Sequence, residues 1–180
     1  LQHGIKVVPS TEIIVYDKQN SDLQFTEISS IGIHADGGIH VGSFDGIVQR
    51  VFEDRSVDNA IDLKFRKEVN GFVHFQGQNW AFGEQLVSLN NHKVKDLGRH
   101  VSIKQVEVLD EKTLAIVSSE GFSLSDFSGP KPQVPSGWSA IEPIEYHGIR
   151  LIAGTGIRKF QIAISEEEFY LSSTNGLEYH

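Results

Sequence analysis

Pairs of turn-forming residues recur at a nearly constant distance from one another, and this spacing constrains the fold more than any other feature of the chain. A first turn is expected at Asp36-Gly37, Asn70-Gly71, Asp110-Glu111, His147-Gly148 and Glu166-Glu167. After each comes a short β-rich run: GIHVGS, FVHFQG, TLAIVSS, IRLIAG and EFYLSS. A second turn is expected at Asp45-Gly46, Gln78-Asn79, Glu120-Gly121, Thr155-Gly156 and Asn175-Gly176, which lie 9, 8, 10, 8 and 9 residues after the first. One strand of about 5–6 residues and its turn fill such an interval. Successive first turns are 34, 40, 37 and 19 residues apart, so each repeat has room for several strands and the last is short.

Inside the repeats, apolar and polar residues alternate at period two, and helical periodicity is almost missing. In IDLKFRKEV, residues 61–69, Ile61, Leu63 and Phe65 point one way while Asp62, Lys64 and Arg66 point the other. Asn70-Gly71 and FVHFQGQ follow, which predicts a hairpin, because a type I′ turn needs positive φ at both central residues. These signals predict an all-β chain of small antiparallel sheets.

Composition narrows the function classes. With 16 basic and 24 acidic residues, the 180-residue chain carries a net charge of −8, and no Lys/Arg cluster offsets it. Such a surface repels phosphate backbones, so no nucleic-acid partner is expected. No apolar run of about 18 residues is present, so no membrane insertion by a helix is expected. The opening LQHGIKVVPS lacks the charged-then-apolar order of a signal peptide. Met is absent, so Leu1 is not expected to be the genetic start. Cysteine is absent too, which removes a disulfide framework, a thiolate metal site and a Cys nucleophile.

SSIGIHADGGIHVGSFDGIVQRV, residues 29–51, resembles one blade of the β-propeller repeats in the sensor domains of two-component regulators. The matching residues are Ile31 and Ile33, Asp36-Gly37, Val41-Gly42-Ser43 and Asp45-Gly46, with His40 where an aromatic residue is usual. EEEFYLSSTNGLEYH, residues 166–180, is similar to the second half of the same pattern. The resemblance implies a small β-propeller-like array of four to five antiparallel blades over residues 1–180, alone or within a larger ring. Closure of such a ring would pair residues 5–8 or 12–17 with the strand ending at His180, since closure removes exposed sheet edges.

Signatures of chemistry are sparse. Ala153-Gly154-Thr155-Gly156 has Lys159 where a third glycine belongs and strand residues where a helix belongs, so it is not read as a dinucleotide site. Neither a Gly-x-Ser-x-Gly elbow nor a His-Glu-x-x-His pair occurs. His34 and His40 flank the Asp36-Gly37 turn and are expected to lie across from each other, opposite the face of Ile33 and Val41. Two imidazoles and Asp36 could begin a Zn²⁺ or Fe²⁺ site. A polar hairpin face in solvent is the reading adopted, because no third or fourth ligand has diagnostic spacing. No metal and no cofactor are therefore expected, and no catalytic residue is assigned.

Contacts with a partner are expected at Gln78, Asn79 and Trp80, read as one turn, and at Phe127 and Trp138. The last two bracket a Pro-rich surface excursion over residues 128–137, where prolines remove ladder donors. Each Trp can stack on a sugar or anchor a partner, and each can equally fill the core or cover a sheet edge. The expected function is a non-catalytic binding or scaffold module making protein–protein contacts through rim loops. Carbohydrate recognition through Trp80 and Trp138 is the alternative. A glycoside hydrolase is a further one, requiring two carboxyls about 5–9.5 Å apart. An extracellular, periplasmic or virion-surface setting suits such a domain, either by itself or assembled with other chains.

Overall fold

The computed structural model describes residues 5–7, 14–34, 37–95, 102–118, 121–127, 144–146, 149–151, 162–164, 169–173 and 176–179. Every regular element among them is a β-strand, and every pairing is antiparallel between neighbours in sequence. The chain divides into two compact units, Leu1–Lys95 and Asp96–His180. In the first, β1 (Ile5–Val7) pairs with β2 (Ile14–Tyr16). A four-stranded meander follows: β3 (Ile28–Ile33), β4 (Ile39–Ser43), β5 (Ile47–Val51) and β6 (Ile61–Asp62). A second four-stranded meander comprises β7 (Gly71–Phe75), β8 (Gln78–Phe82), β9 (Leu86–Ser88) and β10 (Val94–Lys95).

In the second unit, β11 (Ile103–Val108), β12 (Thr113–Ser118) and β13 (Gly121–Asp126) form a three-stranded meander. β14 (Ile144–Tyr146) pairs with β15 (Ile149–Leu151). β16 (Ile162–Ile164), β17 (Phe169–Ser173) and β18 (Gly176–Tyr179) form the last sheet. The described residues thus form the all-β succession of small antiparallel sheets that the turn spacing predicts. β1 takes β2 as its partner and β18 takes β17.

The central strands β4 and β5 are buried on both faces. Register places Val41, Gln49 and Val51 on one face, where they meet Tyr16, Leu23 and Phe25. Val48, on the other face, meets Val69, Ala81 and Val87 beside and within sheet β7–β10. Full burial of each Val, Leu or Phe among them contributes about 1.5–3 kcal/mol. Close approach on the second face depends on two glycines. A Cβ on Gly32 would stand 2.5 Å from Phe72 Cβ, and one on Gly42 would stand 2.6 Å from Val69 Cβ. The Val41-Gly42-Ser43 motif therefore has a packing reason. Ser43 completes it, its hydroxyl accepting the N–H groups of Asp45 (3.2 Å) and Ile47 (3.0 Å) while its carbonyl accepts that of Val69 (3.0 Å).

Gln49 is 2% exposed and its amide is fully used. Its Oε1 accepts the Gln24 N–H at 2.7 Å, and its Nε2 donates to the carbonyls of Asp22 (3.2 Å) and Asp58 (3.1 Å). This one side chain ties three separate segments together.

Two expected turns are placed elsewhere by the structure. Asn70-Gly71 does not close a hairpin: Gly71 is the first residue of β7, and the Asn70 N–H donates to the Phe82 carbonyl at 2.8 Å. The glycine is needed because a Cβ there would lie 2.5 Å from the tip of the Phe82 ring. The actual turn is Gln76-Gly77, with φ of 50° and 68°, closing Phe75 against Gln78. Both residues take the positive φ of a type I′ turn. Gln78, Asn79 and Trp80 consequently belong to β8 and not to a turn. The alternation over residues 61–69 does order burial, with Leu63, Phe65 and Val69 inside, yet only Ile61 and Asp62 pair in a ladder. The Asp45-Gly46 and Asp110-Glu111 turns stand as expected, between β4 and β5 and between β11 and β12. His147-Gly148, Thr155-Gly156, Glu166-Glu167 and Trp138 lie outside the described residues.

Several other turns are built on Asp or Asn side chains. Asp54 accepts the Ser56 N–H across Arg55, whose φ is 73°, and Asn91 accepts the Lys93 N–H across His92, whose φ is 55°. Such Asx turns let a residue other than glycine adopt the left-handed region. Asp62 accepts the Lys64 N–H at 2.8 Å and also meets the Lys64 ammonium. Those two bonds hold its carboxyl below the usual range.

Two predictions arise from this packing. In urea denaturation, Gly32→Ala should cost about 1–3 kcal/mol, because Phe72 cannot withdraw its Cβ. Gly77→Ala, with open space around it but φ at 68°, should cost only about 1–2 kcal/mol of backbone strain. A neutral or stabilising Gly32→Ala would contradict the close sheet approach. For Asp62, the folded pKa lies below the unfolded one, so the stabilisation is present above the unfolded carboxyl range. It is lost as pH falls through the lowered folded value. An NMR titration should show this depression, and Lys64→Ala should move the Asp62 midpoint back up.

Candidate functional site

Where sheet β3–β6 faces sheet β7–β10, the two do not close completely. Between them lies a cleft of about 140 Å³, comparable to a cavity that holds one benzene-sized molecule. His34, His40 and Arg50 line it from the first sheet, and Asn79, Leu89 and Asn90 line it from the second. Asp58 and Asn59, in the loop leading to β6, form its lip, while Val48 and Ile61 supply aliphatic surface.

Register explains the first wall. Gly32 pairs with His40 and His40 pairs with Arg50, so these positions share the face turned toward the second sheet. His40 is only 8% exposed. Its ring stacks on Phe72 at 5.6 Å between centroids and meets His34 edge-on at 5.3 Å. The polar hairpin face expected in solvent is therefore inverted: His40 is covered, whereas Ile33 is 82% exposed. The reason is position in the sheet. β3 is an edge strand, and Tyr16, Leu23 and Phe25 pack with Val41 and Val51, on the two central strands. His34 and His40 do lie close together as expected. Among the described residues, no three His, Asp or Glu side chains come together as a metal site would require.

Arg50 lies with its guanidinium 4.4 Å above the centre of the Phe52 ring, a cation–π geometry. Gly38 permits this placement, since a side chain at that position would collide with the guanidinium.

On the second wall, Asn79 pairs with His74 across β7 and β8 and shares the face of Phe72 and Ala81. It is 6% exposed, with Oδ1 2.9 Å from His74 Nδ1. The Asn79 N–H donates to Asn90 Oδ1 at 2.9 Å, and its carbonyl accepts the Leu89 N–H at 2.8 Å. Both amides are thereby fixed in orientation.

The other candidate residues are placed as follows. Trp80, on the opposite face of β8, is 4% exposed and donates its indole N–H to the Phe75 carbonyl at 3.2 Å. Gln78 is half-buried and its Oε1 accepts the Ser88 hydroxyl at 2.8 Å. Phe127 is buried, with its N–H donating to the Lys112 carbonyl at 2.7 Å. Of the five candidate contact residues, the cleft gathers Asn79. Arg50 and Asn90 were not singled out from the sequence. Only the alternation of β5 and the Asn90-Asn91 step before β10 could have suggested them.

If Asn90 fixes the second wall as described, Asn90→Ala should leave the buried Asn79 N–H without its acceptor and cost about 1–3 kcal/mol. Hydrogen exchange at the Asn79 amide should quicken, while the Trp80 fluorescence spectrum stays as it is. An unchanged Asn79 exchange rate would show that the bond does not hold this wall.

No protein-family model and no curated protein matches the sequence. Among solved structures, the extracellular domain of BT4673 from B. thetaiotaomicron, described as a one-component system, is similar over 99% of this chain at 17% identity and a TM-score of 0.66. The match covers 25% of that chain, so this protein spans about a quarter of its length. The computationally designed Ika4 protein is similar over 89% of this chain and 94% of its own, at 9% identity and a TM-score of 0.54. The WD40 β-propeller domain of Doa1 is similar over 83% of this chain and 62% of its own, at 13% identity and a TM-score of 0.51. At these identities the likeness is one of fold.

Proposed function

We propose that the chain is a non-catalytic recognition module of a sensor-type propeller lying outside the cytoplasm, and that its ligand seat is the cleft between sheets β3–β6 and β7–β10. One observation carries this reading: each sheet supplies one wall, so an occupant touches both at once. A ligand held this way stabilises the docked pair of sheets, by about 2.7 kcal/mol at a concentration 100 times its Kd. The fold likeness to an extracellular domain of a one-component system supports both the sensing role and the location. Protein–protein contacts would fall on the rim, with residues 128–138 as their proposed centre.

Carbohydrate recognition is the second reading. The cleft itself favours it over the two tryptophans, because Asn59, Asn79 and Asn90 stand beside the aliphatic surface of Val48, Ile61 and Leu89. Amides serve hydroxyl groups and aliphatic surface serves the C–H face of a sugar. Hydrolysis would need a second carboxyl facing Asp58, and Asp58 is the one acid among the described lining residues.

Binding can be tested by thermal shift together with NMR mapping on the full chain. A true cleft ligand should raise Tm and perturb resonances of His40 and Asn79 together. Ligands that stabilise the protein yet perturb only one wall would overturn the assignment. Release of sugar from a glycoside, lost in Asp58→Asn, would replace recognition with catalysis.

A further inference from the structure

One edge of the first meander lacks the protection that other edges of its unit carry. β3 is six residues long, reads ISSIGI, and contains neither a charge nor a proline. It has β4 on one side and no strand on the other. Its neighbours at sheet edges are guarded. β6 and β10 are two residues each and carry Asp62 and Lys95, β1 and β2 are three residues each, and β7 keeps Phe72 and Val73 half-buried. Short strands and charged side chains are the usual guards against edge pairing. The one irregularity of β3 lies at its Ile28–Ser30 end and leaves Ile31–Ile33 regular.

Register says which groups face outward. The His34 N–H donates to the Gly38 carbonyl at 2.8 Å, so by the alternation of an antiparallel ladder Ile31 and Ile33 turn their N–H and C=O groups away from β4. The same two residues carry exposed side chains, Ile31 at 55% and Ile33 at 82%. Being two apart, they stand on one face of the strand. Gly32 between them puts no side chain on the opposite face, where Phe72 lies.

We propose that this edge is an interface with a second copy of the chain, β3 pairing antiparallel with β3 about a two-fold axis at Gly32. The stretch Ile31-Gly32-Ile33 reads the same in both directions. With Gly32 opposite Gly32, Ile31 of each copy meets Ile33 of the other, and every outward N–H finds an outward carbonyl. The isoleucines then form two cross-strand pairs on one face. Charge also favours a copy at this place. A chain with a net charge of −8 repels itself over much of its surface, and this strand brings no like charges together. Glu27, the nearest described acid along the chain, falls opposite Gly37 in this register. Because β4 occupies the other side of β3, pairing closes at two copies and does not propagate. So small a contact makes a dimer that forms only at high concentration.

Sedimentation equilibrium on the full chain, between about 10 μM and 1 mM, should show the mass rising from 20.0 kDa toward twice that value. Over the same range the Ile31 and Ile33 amides should exchange at least tenfold more slowly at the upper concentration. Ile33→Lys should raise the dissociation constant at least tenfold, with circular dichroism confirming the fold. Phe44→Ser, at another exposed apolar residue, should leave it unchanged. A chain that stays monomeric at 1 mM would overturn the proposal and leave the edge to a strand of another protein or to solvent. A dimer that survives Ile33→Lys, or that forms without slowing exchange at Ile31 and Ile33, would put the contact elsewhere and overturn it too.

Discussion

The close approach of two neighbouring sheets is the constraint on which the first unit depends. Where β3 and β4 lie against the second sheet, Gly32 and Gly42 leave no room for a Cβ beside Phe72 and Val69. A sheet normally keeps about 10 Å from the one stacked on it, a gap filled by side chains from both. At Gly32 and Gly42 one partner contributes no side chain, so the large residues of the other reach its backbone. Further along the same interface both partners carry polar groups, and there the sheets stand far enough apart to leave a cleft. Tight packing and an opening are thus two ends of one contact surface.

That geometry bears on which functions the fold supports. In meanders of three or four strands, the connecting loops are one place to build a pocket. The space between adjacent sheets is the alternative, and its chemistry is set by residues at alternate strand positions. His40, Arg50 and Asn79 all occupy such positions. Strand residues are held by ladder hydrogen bonds on either side, which gives a site of this kind more rigidity than one made of turns.

Much of the fold was legible because its signals are local. Asp45-Gly46 turns the chain where its spacing says it should, and Gly46 takes φ of 74° there. The alternation from Ile61 to Val69 correctly sorts inside from outside. It failed to identify pairing partners, since burial is shared by ladder strands and by extended segments pinned through Leu63 and Phe65. Asn70-Gly71 misled for a related reason. A glycine after Asn answers a turn's need for positive φ, but it equally answers a neighbouring ring's need for space, and the sequence alone does not distinguish the two. The cleft was the least legible feature. Arg50 and Asn90 are 40 positions apart and acquire a common role only when the second sheet docks on the first.

Gln49 carries one more consequence. Its carboxamide is a short, stiff plate, and it holds the N–H of Gln24 on one side and the carbonyl of Asp58 on another. Residues 22–24, which precede the first meander, and Asp58 at the rim of the opening are therefore joined through one side chain. Loss of that one carboxamide would release the leading segment and the rim of the cleft at the same time.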